Sequence, residues 1–293
     1  MSKQVLPVYD ICNLADANPA AEIMADHFTH YLQTHRDLYF PHKHSFYHLV
    51  YFKNGSGKHS IDFVPFSVRA GQVYFMIPGQ VHTWNFAGDP EGYIINFSER
   101  FIQSFVTDAR YLEKFAFFSG IATEQLINLP KKEREGIEMI FEKILEELHH
   151  KKENADDLVR VLLIGLFIRL ARCQEPDHKA KTAPYNSVLL NNFRKLVDQH
   201  YKEKKLTKEY ASLLYVTPNH LNALCKDVTG RPAGEIIRDR VLLEAKRLLT
   251  NAGLSIAGIA AELNFADNSY FSKFFKKYEG VTPEVFRKKV HGY

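Results

Sequence analysis

The sequence predicts an α+β protein of more than one domain: an N-terminal β-barrel with accompanying helices, then an all-α C-terminal domain with two helix-turn-helix motifs. Three observations predict it. Residues 36–98 are short aromatic and β-branched runs cut by Gly and Pro turns, the pattern of a small barrel or sandwich. From about residue 99 the apolar residues change to a spacing of three and four, the period of amphipathic helices. Within the last 110 or so residues a helix–turn–helix pattern occurs twice.

The strand region is read in order. SFYHLVYF and KHSIDF flank Asn54-Gly55-Ser56-Gly57, which predicts a β-hairpin. A second turn is expected at Arg69-Ala70-Gly71, followed by QVYFMI as a buried strand. Pro78-Gly79 breaks the chain, and TWNF and GYIINF supply further strands. In EREGIEMIFEKILEELHH, Ile137, Ile140, Phe141, Ile144, Leu145 and Leu148 share one helical face. DDLVRVLLIGLFIRLARC is apolar around most of its circumference, so either the barrel or a second subunit must cover it. Gln174–Pro184 is polar and bracketed by prolines, the character of a linker.

Beyond residue 185 only helices are expected. Thr207 is read as the cap of TKEYASLLY, and Thr217-Pro218 opens the next helix, which Gly230 ends. A long helix runs from about Ala233 to Thr250. Ser255 opens SIAGIAAEL, Asp267 or Asn268 opens NSYFSKFFKKY, and Thr282-Pro283 opens the last helix. Ala211 in the first pair, and Ala260 and Ala261 in the second, let paired helices approach closely. Asn264 stands where the second turn requires a left-handed residue.

Bulk properties narrow the class. The 293 residues carry 45% hydrophobic and 25% charged residues, as in an ordinary two-domain soluble protein. No run of about 18 apolar residues suggests a membrane span, and the first residues, MSKQVLPVYDICNLADA, do not read as a secretion signal. Cys12, Cys173 and Cys225 form no paired motif, which fits a reducing, cytoplasmic setting. Residues 185–293 hold 18 Lys/Arg against 11 Asp/Glu, out of 38 and 34 in the whole chain. The back of the chain is therefore basic and the front slightly acidic, as expected of a protein whose C-terminal part meets a polyanion. No Ser/His/Asp arrangement, phosphate-binding loop or dinucleotide fingerprint is found.

The segment from Ala260 to Arg287, AAELNFADNSYFSKFFKKYEGVTPEVFR, resembles the signature of the AraC/XylS family of transcription regulators, with Asn264 where that family usually has glycine. The resemblance covers about residues 185–293 and implies sequence-specific binding of double-stranded DNA. It places Asn219, His220, Asn222 and Ala223 of the first recognition helix near the groove, and Asn268, Ser269, Tyr270 and Lys273 of the second. The chemistry agrees in part: Asn pairs with adenine, Lys favours guanine or phosphate, and Ala reaches only a thymine methyl. Lys226, Arg231, Lys276 and Lys277 read as phosphate contacts.

The front of the chain is similar to the cupin-like sensor domain of many such regulators, on PHKHSFYHLVYF, NGSGKHSIDF and PGQVHTW. The fold class expected is therefore a cupin-like barrel ahead of the all-α domain. The resemblance implies a small-molecule effector inside the barrel, lined by His42, His44, Tyr47, His82 and Trp84. The flat rings suit a sugar-like ligand, although strand alternation puts Tyr47 opposite Phe46 and His48. No cofactor or resident metal is expected of such a regulator. A second reading, a metal-dependent cupin enzyme such as a dioxygenase or isomerase, rests on the spacing of His42, His44, His48 and His82. The expected organisation is a sensor domain at 1–132, a helical dimerisation segment at 133–175, a linker at 176–184 and a DNA-binding domain at 185–293, with motifs at about 207–230 and 255–280. Expected partners are DNA, the effector, a second copy of the chain and RNA polymerase.

Overall fold

The computed structural model describes residues 6–14, 20–174 and 184–291. The chain forms two compact units, residues 7–175 and a C-terminal unit from 176 onward. Most of the linker expected at 176–184 lies outside the described residues.

The first unit contains β1 (Val8–Tyr9), α1 (Ile11–Leu14), β2 (Ile23–His27), α2 (Phe28–Thr34), β3 (Lys43–His44), β4 (Tyr47–Asn54), β5 (Gly57–Ile61), β6 (Val64–Val68), β7 (Gln72–Met76), β8 (His82–Phe86), β9 (Glu91–Phe97), α3 (Glu99–Gln103), β10 (Leu126–Asn128), α4 (Lys131–His150) and α5 (Ala155–Cys173). A five-stranded antiparallel sheet in the order β10-β7-β4-β9-β2 faces a three-stranded sheet, β6-β5-β8.

The larger sheet is covered on both faces, which explains the continuous apolar run of β7. Val50, Phe52, Tyr74 and Ile94 point into the barrel with Ile61 and Trp84 of the smaller sheet and Phe28 and Tyr31 of α2. The alternate residues Leu49, Tyr51, Phe75, Tyr93 and Phe97 pack on α4 and α5 through Phe141, Leu163 and Phe167.

Three expectations are corrected here. The chain at Asn54–Gly57 is not a hairpin: β4 pairs with β7 and β9, while β5 pairs with β6 and β8, so the segment crosses from one sheet to the other. The two-residue hairpin is instead β5–β6, turned by Asp62 and Phe63 with φ of 49° and 68°. That turn requires left-handed residues at both centres, and no glycine marks it. Second, strands also lie outside 36–98, at β1, β2 and β10. Third, α4 and α5 belong to the sensor unit and do not form a segment of their own, because their buried faces share one core with the sheet. A boundary at 132/133 falls inside α4.

The second unit is all helical: α6 (Pro184–His200), α7 (Thr207–Leu213), α8 (Pro218–Thr229), α9 (Ala233–Leu249), α10 (Ile256–Glu262), α11 (Asn268–Glu279) and α12 (Pro283–His291). Helix ends follow the sequence closely. The Thr217 hydroxyl accepts the His220 N–H and Pro218 takes the first helical position. Ser255 and Asp267 cap α10 and α11 in the same way. Gly230 and Gly280 close α8 and α11 in the left-handed region, at φ of 73° and 83°. Thr207 is the first residue of α7 and not its cap. The Glu209 carboxylate accepts the Lys205 and Leu206 N–H groups there instead. Among the described residues no helix is long and apolar enough to cross a membrane.

Candidate functional site

Two helix-turn-helix units are built on the same plan. Ala211 and Ala260 are buried at the crossings of α7 with α8 and of α10 with α11. In the first turn the Val216 N–H donates to the Ala211 carbonyl at 3.0 Å; in the second, Phe265 N–H donates to the Ala260 carbonyl at 2.9 Å. Each turn passes through one left-handed residue, Tyr215 and Asn264. Leu221, Leu224, Phe271 and Phe275 bury the inner faces of α8 and α11, so the opposite faces stand free. α9 touches helices of both motifs. Lys205 ties them further: its ammonium donates to the Leu263 and Asn264 carbonyls at 2.7 and 2.6 Å and lies over the Phe265 ring.

Of the residues expected at DNA, Asn219, His220, Ala223, Asn268, Ser269, Tyr270 and Lys273 are exposed around the capped N-terminal turns, and Lys226, Lys276 and Lys277 are exposed further along. Helix N-termini carry partial positive charge, so these turns suit a polyanion. Two expectations change. Asn222 is half-buried and its Oδ1 accepts the Ala233 N–H at 3.1 Å, which caps the start of α9. Arg231 is held by Glu235 and Asp239 of α9, which neutralises it within the chain.

In the barrel, five histidines come together. His42 and His82 are backbone partners: each N–H donates to the other's carbonyl, at 3.2 and 3.0 Å. His44 lies two residues along the strand, on the same face. The His42 and His44 Nε2 atoms are 3.1 Å apart, and those of His82 and His44 2.7 Å. His48 enters from β4, and His59 enters from β5 beside Trp84. All five are buried. Burial favours the neutral imidazole: it lowers His42 to about 4 and His48 to about 3, and holds His44, His59 and His82 well below the ordinary range.

Two ring nitrogens are fixed by outer partners. His42 Nδ1 meets the Phe40 carbonyl at 2.7 Å, and His48 Nδ1 meets Asn96 Oδ1 at 2.6 Å. His44 Nδ1, His48 Nε2, both nitrogens of His59, His82 Nδ1 and Trp84 Nε1 are buried without a hydrogen-bond partner. Each such atom costs about 1–3 kcal/mol if nothing satisfies it, so this concentration marks a ligand-binding place. One ring nitrogen from each of His42, His44 and His82 could together hold a metal ion.

Of the residues expected to line the effector site, His42, His44, His82 and Trp84 come together inside the barrel. Tyr47 does not join them: its ring stacks on Phe97 and meets Phe118 in the core beneath the helices. His59 was not anticipated; its place among the inward positions Gly57, His59 and Ile61 of one strand is the signal that would have found it. A separate open cleft of about 860 Å³ lies between β2 and the α4–α5 turn, lined by Asp26, His30, Lys151, Lys152 and Asp157 among others. Its charged lining is unlike the enclosed, mostly apolar sites that hold small ligands, and the barrel is the better candidate.

A barrel with a polar interior joined to a pair of helix-turn-helix units defines a DNA-binding transcription regulator with an N-terminal ligand-binding domain. A family model described as "AraC-like ligand binding domain" matches residues 25–171, and one described as "Helix-turn-helix domain" matches residues 210–289. The chain belongs to the AraC/XylS family of transcription regulators. Similar relatives include the HTH-type transcriptional activator RhaR of Cronobacter sakazakii, 23% identical over 86% of this chain and 88% of the relative. The HTH-type transcriptional regulator YisR of Bacillus subtilis is 25% identical over 84% and 87%. Among solved structures, ToxT from Vibrio cholerae O395 aligns with 93% of this chain and 99% of its own, at 14% identity and a TM-score of 0.45.

Proposed function

We propose that this chain is a ligand-controlled transcription activator and not an enzyme. It reads its operator with the first turns of α8 and α11 and acts as a cytoplasmic homodimer. The carrying observation is the doubled motif: two capped helix N-termini, each with exposed Asn, Ser, Tyr or Lys side chains, on either side of one rigid helix. With 17 residues, α9 spans about 26 Å. Successive major-groove faces are about 34 Å apart, so a connector of this length suits recognition helices in consecutive turns. The enzyme reading leaves both motifs without a role.

Support for the homodimer comes from α5. Leu158, Val161 and Ile168 are exposed on this helix, and open space lies over Gly165. Positions 158, 161, 165 and 168 form one stripe at the spacing of a two-helix seam. Segment 176–184 is the tether between sensor and DNA-binding units, and RNA polymerase is the partner of the DNA-bound chain; the reading as an activator is supported by relatives named as transcriptional activators. The ligand lies in the barrel among His42, His44, His82 and Trp84. With Tyr47 on the other face, half of the stacking surface expected for a sugar-like ligand is gone.

Gel-shift titrations at fixed salt test the DNA reading. Asn219→Ala and Lys273→Ala should each weaken specific binding by about 1–3 kcal/mol, whereas Asn222→Ala should act through stability. Unchanged affinity in the first two variants would reject the assignment.

A further inference from the structure

We propose that the barrel histidines form a binding site for a divalent transition-metal ion, with His42, His44 and His82 as ligands. The proposal deepens the reading of the barrel as the ligand-binding half by naming the ligand class, and rests on that reading for its regulatory meaning.

One ring nitrogen from each of His42, His44 and His82 lies within 4.8 Å of the other two. A tetrahedral ion with nitrogen ligands at about 2.0–2.1 Å holds those nitrogens roughly 3.3 Å apart. The Nε2 separations are 3.1 and 2.7 Å, so shifts of about a few tenths of an ångström in the rings bring them to that spacing.

Hydrogen bonding among the rings does not account for the cluster. A neutral imidazole has one N–H and one lone pair. With Nδ1 donating to the Phe40 carbonyl, His42 presents a bare lone pair at Nε2. With Nδ1 donating to Asn96 Oδ1, His48 does the same, and its Nε2 has no partner at all. His44 Nε2 faces two other Nε2 atoms and can satisfy one of them as donor or acceptor, not both. A single cation accepts the lone pairs of His42, His44 and His82. A carbonyl or amide oxygen behind the imidazole is also the outer partner that fixes metal-binding rings. A purely imidazole set selects Zn²⁺, Co²⁺, Ni²⁺ or Cu²⁺ over Mg²⁺ or Ca²⁺, which prefer oxygen.

The test uses the full chain, purified without a polyhistidine tag and stripped with a chelator, titrated with Co²⁺ and then Zn²⁺. The expected result is one Co²⁺ per chain with visible d–d absorption, displaced by Zn²⁺. His44→Gln and His82→Gln should each weaken uptake by more than about tenfold, because losing a ligand costs at least as much as losing an outer partner. His149→Gln with His150→Gln, an exposed pair on α4, should leave uptake intact. No Co²⁺ uptake by the wild type at micromolar concentration overturns the proposal. So does uptake that survives His44→Gln in a folded protein, or that disappears with His149 and His150. Should the His44 variant fail to fold, the wild-type stoichiometry and spectrum decide. Operator binding by the stripped wild type is measured separately, so failure of the metal site is distinguishable from failure of the regulator reading.

Discussion

Tyr215 and Asn264 hold the same left-handed backbone conformation at the same step of the two helix-turn-helix turns, with φ of 55° and 54°. Asn tolerates this region, whereas a bulky side chain there is strained by about 1–2 kcal/mol. Tyr215 is also 96% exposed, so its ring recovers almost nothing by packing. Tyr215→Asn should therefore raise stability by about 0.5–1 kcal/mol. Asn264→Tyr, the reverse change, should lower it. Chemical denaturation of the two variants checks both signs together.

The caps of the recognition helices make a second, local prediction. Asp267→Ala removes the acceptor of the Tyr270 N–H, a bond of 2.7 Å, and Thr217→Ala removes that of His220. Each should cost about 1 kcal/mol of stability. Each should also weaken DNA binding, because the frayed turn carries the side chains proposed to face the groove. Thermal unfolding and gel shifts on the same samples separate the two effects.

The docking of α4 onto the sheet gives a third. Phe141 is buried against Tyr51 and Tyr93, and those two hydroxyls donate to Glu138 and Glu142 of the same helix. Phe141→Ala should cost about 3–5 kcal/mol, and Tyr51→Phe about 0.5–1.5 kcal/mol. Equal losses in urea denaturation would show that the packing assigned to α4 is wrong.

The exposed stripe on α5 gives a fourth. Val161→Glu places a charge in the middle of the seam proposed along Leu158, Gly165 and Ile168. Sedimentation should show a dimer for the wild type and a monomer for the variant, with little loss of fold because the position is exposed. A monomeric wild type at micromolar concentration rejects the seam.

The C-terminal unit was legible in the sequence because its determinants are local. Caps at Thr217, Ser255 and Asp267, prolines at first helical positions and Asn264 in its turn each act within four or five residues. The sensor unit was less so. Whether β4 pairs with β5 is decided by β7 and β9, which flank β4 on both sides, and Asn54-Gly55 carries no trace of that competition. The Asp62-Phe63 turn lacks glycine, so its left-handed geometry was invisible. The histidine cluster was half legible. Spacing brought out His42, His44, His48 and His82, but His59 and the outer partner Asn96 depend on pairing between strands. The intramolecular partners of Asn222 and Arg231 were not legible, because the Ala233 N–H and the Glu235 and Asp239 carboxylates lie on α9, beyond the motif.

The most direct check of the DNA-binding account is a genome-wide footprint of the full chain compared with that of a double variant, Asn219→Ala with Lys273→Ala. The wild type should protect discrete sites containing two elements about one helical turn apart, and the double variant should lose them while remaining folded. Wild-type occupancy without discrete sites, or identical footprints for the two proteins, would contradict the assignment of α8 and α11 to the groove.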